Sequence, residues 1–367
     1  MTAGLELRGI NKFVGGERYL EDVSLQCEPG TLTVLLGRVS SGKTSLLRAM
    51  AGLDHPDSGH VLWQGHDVTR QNVRTRDVAM VYQQFVNYPS LSVYENIASP
   101  LRIQKRHTRA EIDRRVHEVA EILRIGNLLQ RLPGELSGGQ QQRTAIARAL
   151  AKSAKLVLLD EPLANLDYKL REELRDELRD LFTGGDTSVV YATSEPNEAL
   201  WFGGTVAVMH EGRLLQIGSA REVYAAPRTE FAGRVFSDPE MNVFDLTVDG
   251  ASARATQHPE LVFDAVGPLR KLTAGQYRAG VRAHDVRFSP RSEHDVRVKA
   301  VVQLEEINGG ETLLRAAAGP LIWTAQVHGV QQHALGTELE LFIAPEHVLI
   351  FEPMNPTQTP ASSHGSH

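Results

Sequence analysis

Gly37-Arg38-Val39-Ser40-Ser41-Gly42-Lys43-Thr44 fits the spacing G-x-x-x-x-G-K-S/T. In such a loop the backbone N–H groups, those of Gly37, Ser40, Ser41, Gly42 and Ser45 among them, wrap a β-phosphate. Lys43 then bridges β and γ oxygens, and Thr44 offers its hydroxyl to Mg²⁺. The dipole of the following helix adds to the attraction for an anion. The apolar run Leu156 to Leu159 delivers Asp160 and Glu161 to the end of a buried strand, where Asp160 would hold Mg²⁺ through water and Glu161 would polarise an attacking water as general base. Gln83, at the end of the run Val78 to Tyr82, sits where an amide could reach both metal and water. The chemistry implied is hydrolysis of a nucleoside triphosphate bound with Mg²⁺.

These residues need strands to carry them. Thr31 to Leu36 is a β-branched and leucine run ending in Gly37, and Ser45 to Ala51 is a short helix former, so the glycine loop joins strand to helix. Further strands are expected at Leu156 to Leu159, Ser188 to Ala192 and Thr205 to Met209, each after a polar or helical stretch. That alternation predicts an α/β fold with a mostly parallel sheet and helices on both faces. Thr108 to Ile125 is charged and apolar at helical spacing and reads as part of a helical insertion, about 84–150. After about Pro239 short strand-like runs such as Leu321 to Val327 and Glu338 to Ile343 alternate with glycine turns, which predicts a small β-barrel domain. The expected division is therefore 1–235, 236–354, and a tail 355–367 too polar to pack.

Composition narrows the class. The chain has 367 residues, 41% hydrophobic and 23% charged, which leaves room for two domains. A net charge of −6 argues against nonspecific nucleic-acid binding, so no nucleic-acid partner is expected. The single cysteine, Cys27, rules out an internal disulfide and reads as a small buried apolar residue. No stretch approaches the length of a membrane span, and Met1 to Gly9 has no apolar signal core, so any membrane work would need another polypeptide to do the spanning.

Between the two acidic and phosphate-binding motifs lies Leu136-Ser137-Gly138-Gly139-Gln140-Gln141-Gln142-Arg143. It resembles the signature segment of ATP-binding-cassette (ABC) ATPases. The order of motifs, Tyr88-Pro89-Ser90-Leu91-Ser92-Val93-Tyr94-Glu95-Asn96-Ile97 and Gly280-Val281-Arg282-Ala283-His284-Asp285-Val286 are similar to ATPase subunits of bacterial ABC importers of the carbohydrate-uptake group, the maltose-importer type. The resemblance spans about Leu5 to Met354. It implies a P-loop NTPase (RecA-like) domain with a helical subdomain and a β-rich, oligonucleotide-fold-like regulatory domain. It also implies a dimer, in which Ser137, Gly138, Gly139 and Gln140 complete a nucleotide site on the other subunit and Asp167 contacts that subunit. Implied partners are a second ATPase subunit, two membrane permeases and a periplasmic solute-binding protein, with the chain on the cytoplasmic face of the bacterial inner membrane.

Three departures from the family pattern stand out. Arg38-Val39-Ser40 replace the usual Pro-Ser-Gly, which puts a side chain on Ser40. Val14 occupies the usual place of the adenine-stacking aromatic, leaving Phe13 and Tyr19 as substitutes. Thr193-Ser194-Glu195-Pro196 replaces the family's Thr-His-Asp, so Ser194 stands where a histidine contacts the γ-phosphate. Ser194 also reads as the N-cap of the next helix. An own site that hydrolyses slowly beside an intact signature implies an asymmetric ATPase pair. Tyr82-Gln83-Gln84-Phe85, Asn87-Tyr88-Pro89 and the run from Asn165 to Glu173 resemble one ATPase of bacterial glycerol importers, with sugar or glycerol-3-phosphate importers and a little-hydrolysing regulatory subunit as the alternatives.

Overall fold

A computed structural model describes residues 4–164, 166, 168–182, 187–249 and 252–351. The chain divides into two compact units, Met1–Arg221 and Glu222–His367. The first unit opens with strands β1 (Leu5–Val14), β2 (Glu17–Cys27) and β3 (Leu32–Leu36), then helix α1 (Lys43–Ala51), β4 (Ser58–Trp63), β5 (His66–Asp67) and β6 (Val78–Val81). Helices α2 (Val93–Gln104), α3 (Arg109–Ile122) and α4 (Gly138–Ala151) follow and pack on one another. The rest alternates: β7 (Leu156–Asp160), α5 (Tyr168–Phe182), β8 (Ser188–Thr193), α6 (Pro196–Phe202), β9 (Thr205–His210) and β10 (Arg213–Ser219).

The expected parallel sheet is present, in the order β10-β9-β3-β8-β7-β6, with only the β9–β10 edge antiparallel. Its strands read as unbroken apolar runs because both faces are covered: all of β7 and β8 is buried. The sequence did not signal a second, antiparallel sheet of order β2-β1-β4-β5. Leu5, Leu7, Ile10, Leu20, Val23 and Val61 from that sheet share one core with Leu35, Leu46, Leu158 and Val190. Bulges in the β1–β2 pairing blur the two-residue alternation that would have marked it.

The expected helix from Thr108 is α3, and Thr108 is its N-cap in a reciprocal capping box with Glu111. In the second unit, β11 (Asn242–Val248), β12 (Ser252–Ala255), β13 (His258–Asp264), β14 (Gly275–Val281), β15 (Val286–Arg287), β16 (Val296–Asn308), β17 (Glu311–Ala318), β18 (Leu321–His328), β19 (Glu338–Ile343) and β20 (Leu349–Phe351) form two five-stranded antiparallel sheets. Phe244, Phe263 and Trp323 bring side chains of both sheets into a single core, which gives the β-rich, barrel-like domain anticipated. The tail 355–367 lies outside the described residues.

Candidate functional site

The strand order assembles the site. β3, β8, β7 and β6 are neighbours and parallel, so the segments leaving their carboxyl ends emerge side by side: the loop at Gly37, the turn at Ser194, Glu161 after Asp160, and Gln83. Two backbone hydrogen bonds tie them at the sheet edge. Gly37 N–H donates to the Thr193 carbonyl at 3.3 Å, and Glu161 N–H donates to the Ala192 carbonyl at 2.9 Å.

In the phosphate loop Gly42 has φ 98 and Ser40 has φ 66, a left-handed conformation that glycine adopts freely and serine only with strain. A Cβ on Gly37 would overlap Ser41 Oγ and the Met209 carbonyl, so this position has no room for a side chain. Lys43 is buried, and its Nζ donates to the carbonyls of Gly37 at 2.7 Å and Arg38 at 3.0 Å. It also lies 3.1 Å from Glu161 Oε1. Gln83 Nε2 donates to the other Glu161 oxygen at 3.2 Å, and Glu161 itself is held at φ 44. Thr44 Oγ1 donates to Asp160 Oδ1 at 3.2 Å.

These groups fit a magnesium nucleotide. Ser41 Oγ is buried with no hydrogen-bond partner among the described residues, and a phosphate oxygen would satisfy it. Thr44 and Asp160 bring two oxygens to one place, which suits a hard cation that keeps part of its water shell. Burial pushes the Asp160 carboxyl above its ordinary range, and a bound divalent cation would favour its ionised form.

Around the signature, Ser137 is the N-cap of α4: its Oγ accepts from Gln140 N–H at 3.4 Å, while Gln140 Oε1 accepts from Ser137 N–H at 3.0 Å. Gly138 faces open space, and a Cβ on Gly139 would overlap Leu170. The helix N-terminus thus offers free amide groups to an anion. Arg143, one turn on, is buried and donates to the Leu123 carbonyl and Glu177 Oε2, both at 2.9 Å. Arg143→Ala leaves the buried Glu177 with Arg124 as its remaining cation partner among the described residues, so a loss of about 3 kcal/mol is expected, read as a lower urea midpoint.

The segment after Gln83 is built from both sides. Asn96 is fully buried; its Nδ2 donates to the carbonyls of Tyr88, Leu91 and Ser92, and its Oδ1 accepts from Tyr88 N–H. Asn87 Nδ2 donates to the Gln141 carbonyl at 2.8 Å, and the Arg148 guanidinium lies 5.0 Å over the Tyr88 ring. The loop is thereby fastened to the signature helix while Tyr82, Val86 and Tyr88 stay exposed.

Two sequence expectations need comment and one needs correction. Phe13 and Tyr19 are both exposed; Phe13 lies under Arg18 at 5.8 Å, and a Cβ on Gly42 would come 2.9 Å from the Tyr19 carbonyl, which brings the Tyr19 backbone against the phosphate loop. Asp167 lies outside the described residues. Ser194 is not the N-cap of α6. The cap is Glu195, with no side-chain capping bond, and Pro196 stands in the helix's first turn. Thr193 Oγ1 organises the turn instead, accepting from Glu195 N–H at 3.0 Å and donating to Glu198 Oε2 at 2.6 Å. A buried carboxylate gathering hydroxyls leaves no spacing signal, so Glu198 was legible only as a helix-start acid.

Residues 20–164 match the family model described as ABC transporter. The chain is 39% identical over 318 residues to the sulfate/thiosulfate import ATP-binding protein of Burkholderia pseudomallei, covering 83% of this chain and 90% of that protein. It is 34% identical over 364 residues to the trehalose/maltose import ATP-binding protein of Thermococcus litoralis, covering 95% and 98%. This chain belongs to the ABC transporter family. It is also 36% identical over 310 residues to an sn-glycerol-3-phosphate import ATP-binding protein of Rhizobium johnstonii, covering 84% and 85%. An ATP-binding cassette solved as a dimer in a post-hydrolysis state with ADP and Pi aligns with TM-score 0.55 at 29% identity, covering 59% of this chain and 99% of that one. The ABC importer ATPase is an ATP-hydrolysing enzyme that uses Mg²⁺, and the first unit has the P-loop fold of that family. Among the described residues no helix is long and apolar enough to cross a membrane.

Proposed function

We propose that this ABC importer ATPase drives uptake of a small polyol, glycerol, as one half of an asymmetric ATPase pair. The observation that carries the pairing is the contrast within one chain. Ser137 and Gln140 form a complete capping box at the signature, while Ser194 stands beside the phosphate loop where the family's histidine is expected. In this reading Lys43, Thr44, Asp160 and Gln83 hold the magnesium nucleotide, Glu161 is the base, Phe13 and Tyr19 are the candidate aromatics for adenine, and Asp167 meets the second subunit. Residues 1–235 form the motor and 236–354 the regulatory domain. Two permeases take up the exposed Tyr82, Val86 and Tyr88 at the cytoplasmic face, and a periplasmic binding protein supplies the solute.

Glycerol rests on the segments from Tyr82 to Pro89 and from Asn165 to Glu173. The relatives' names span sulfate, sugars and glycerol-3-phosphate, so the ATPase fold does not choose the solute. Glycerol uptake by cells carrying the transporter, abolished on deletion of this chain and unaffected by excess sugar, supports it; uptake of sugar or glycerol-3-phosphate instead replaces it. A second reading, an ATP-binding subunit with little hydrolysis, is favoured by Ser194 itself. Ser194→His is expected to raise single-turnover hydrolysis at this chain's site by at least about tenfold, because a positioned acid–base group contributes on the order of 10² to 10⁴ in rate. An unchanged rate would remove the imidazole as the reason for asymmetry.

A further inference from the structure

The turn carrying Ser194 has no capping side chain of its own, yet it joins directly to both halves of the hydrolytic site. Behind it Glu198 is 5% exposed, and one of its oxygens, Oε2, accepts from Thr193 Oγ1 at 2.6 Å and from Tyr191 OH at 2.9 Å. Thr193 passes the contact on, because its hydroxyl accepts the Glu195 N–H. The two residues that carry these hydroxyls bracket Ala192, whose carbonyl fixes Glu161, and the Thr193 carbonyl fixes Gly37. Tyr191 is fully buried and packs on Phe202 at 4.6 Å between ring centroids, so the hydroxyl has no freedom to turn away.

We infer that Glu198 is a positioning residue for ATP hydrolysis: through the Thr193 and Tyr191 hydroxyls it sets the end of β8 that holds Glu161, Gly37 and the Ser194 turn in register. Glu198 sits in the first turn of α6, where the helix N-terminus favours a carboxylate. Both hydroxyls donate to Glu198 Oε2 and hold the carboxylate in place as an acceptor, opposing the burial that raises its pKa. Any buried carboxylate needs donors; here both donors come from the two residues that flank Ala192, whose carbonyl anchors Glu161, so the bonds that satisfy Glu198 also hold that anchor. The inference rests on Glu161 as the base.

The test uses the full-length chain with ATP and Mg²⁺, reading single-turnover hydrolysis and, separately, affinity for a fluorescent ATP analogue. Glu198→Leu is expected to lower the hydrolysis rate by about tenfold to 10²-fold, the cost of sub-ångström to ångström misplacement, with nucleotide affinity retained. Glu198→Gln, whose amide oxygen accepts the same two hydroxyls, is expected to restore most of the rate. Thr193→Val, of similar volume, is expected to reproduce the loss and serves if Glu198→Leu does not fold. Full activity in a folded Glu198→Leu or Thr193→Val protein overturns the inference, as does a Gln variant no better than Leu. Glu161→Gln measured alongside separates the two ideas: if it too leaves the rate untouched, the base itself is misassigned.

Discussion

Lys43→Ala is expected to abolish nucleotide binding at this chain's site. Lys43 is buried, and its Nζ meets three oxygens among the described residues: the Gly37 and Arg38 carbonyls and Glu161 Oε1 at 3.1 Å. A triphosphate would place its β and γ oxygens against the same ammonium group, with Glu161 released toward water. Removing the lysine takes away a buried cation hydrogen-bonded to the loop carbonyls and leaves Glu161 facing the incoming phosphates. Truncating one partner of a buried, hydrogen-bonded charge pair costs about 2–5 kcal/mol, roughly 30-fold to several thousand-fold in affinity. Isothermal titration with ATP and Mg²⁺ measures it directly. Retained affinity would mean that the glycine loop is a turn without a phosphate function.

Glu161→Gln should leave ATP bound and stop its hydrolysis, lowering turnover by about 10² to 10⁴. The backbone at this position is independent of the side chain, since the φ of 44 is anchored by the N–H bond to Ala192. Glutamine keeps the volume and one oxygen for the Lys43 donor, gives up the second acceptor that Gln83 uses, and accepts no proton from water. Binding and turnover therefore separate, unlike in Lys43→Ala, where both fall together. If, as proposed, the signature of one subunit completes the site of another, an ATP-stabilised dimer also persists, seen as an earlier elution in size-exclusion chromatography with ATP. Unaltered turnover in this variant would assign the proton transfer to another group.

The phosphate loop, the acid pair and the signature were legible because each is a contiguous run whose chemistry depends on short spacing. Their strands were legible for a related reason: a strand buried on both faces must be apolar throughout, as Leu156 to Leu159 and Ser188 to Ala192 are. The antiparallel sheet was not. β1 and β2 carry bulges and exposed ends, so no clean alternation marks them, and their burial depends on a core shared with strands far along the chain. Ser194 as a cap was a reasonable local reading that the turn overruled, since Thr193 and Glu195 satisfy each other and leave the serine one residue outside the cap.

Short motifs along the chain named the candidate groups for phosphate, metal and proton, and the resemblance at the signature pointed to a second subunit. That Gly37, Ser194, Glu161 and Gln83 leave four adjacent strands, in the order β3-β8-β7-β6, and that Glu198 is buried next to the turn from β8 into α6, emerged from the fold. A motif's chemistry is set by neighbours along the chain, whereas strand order and the burial of a single carboxylate are set by pairings such as Leu32 with Val189 and Thr33 with Thr205, far apart along the chain.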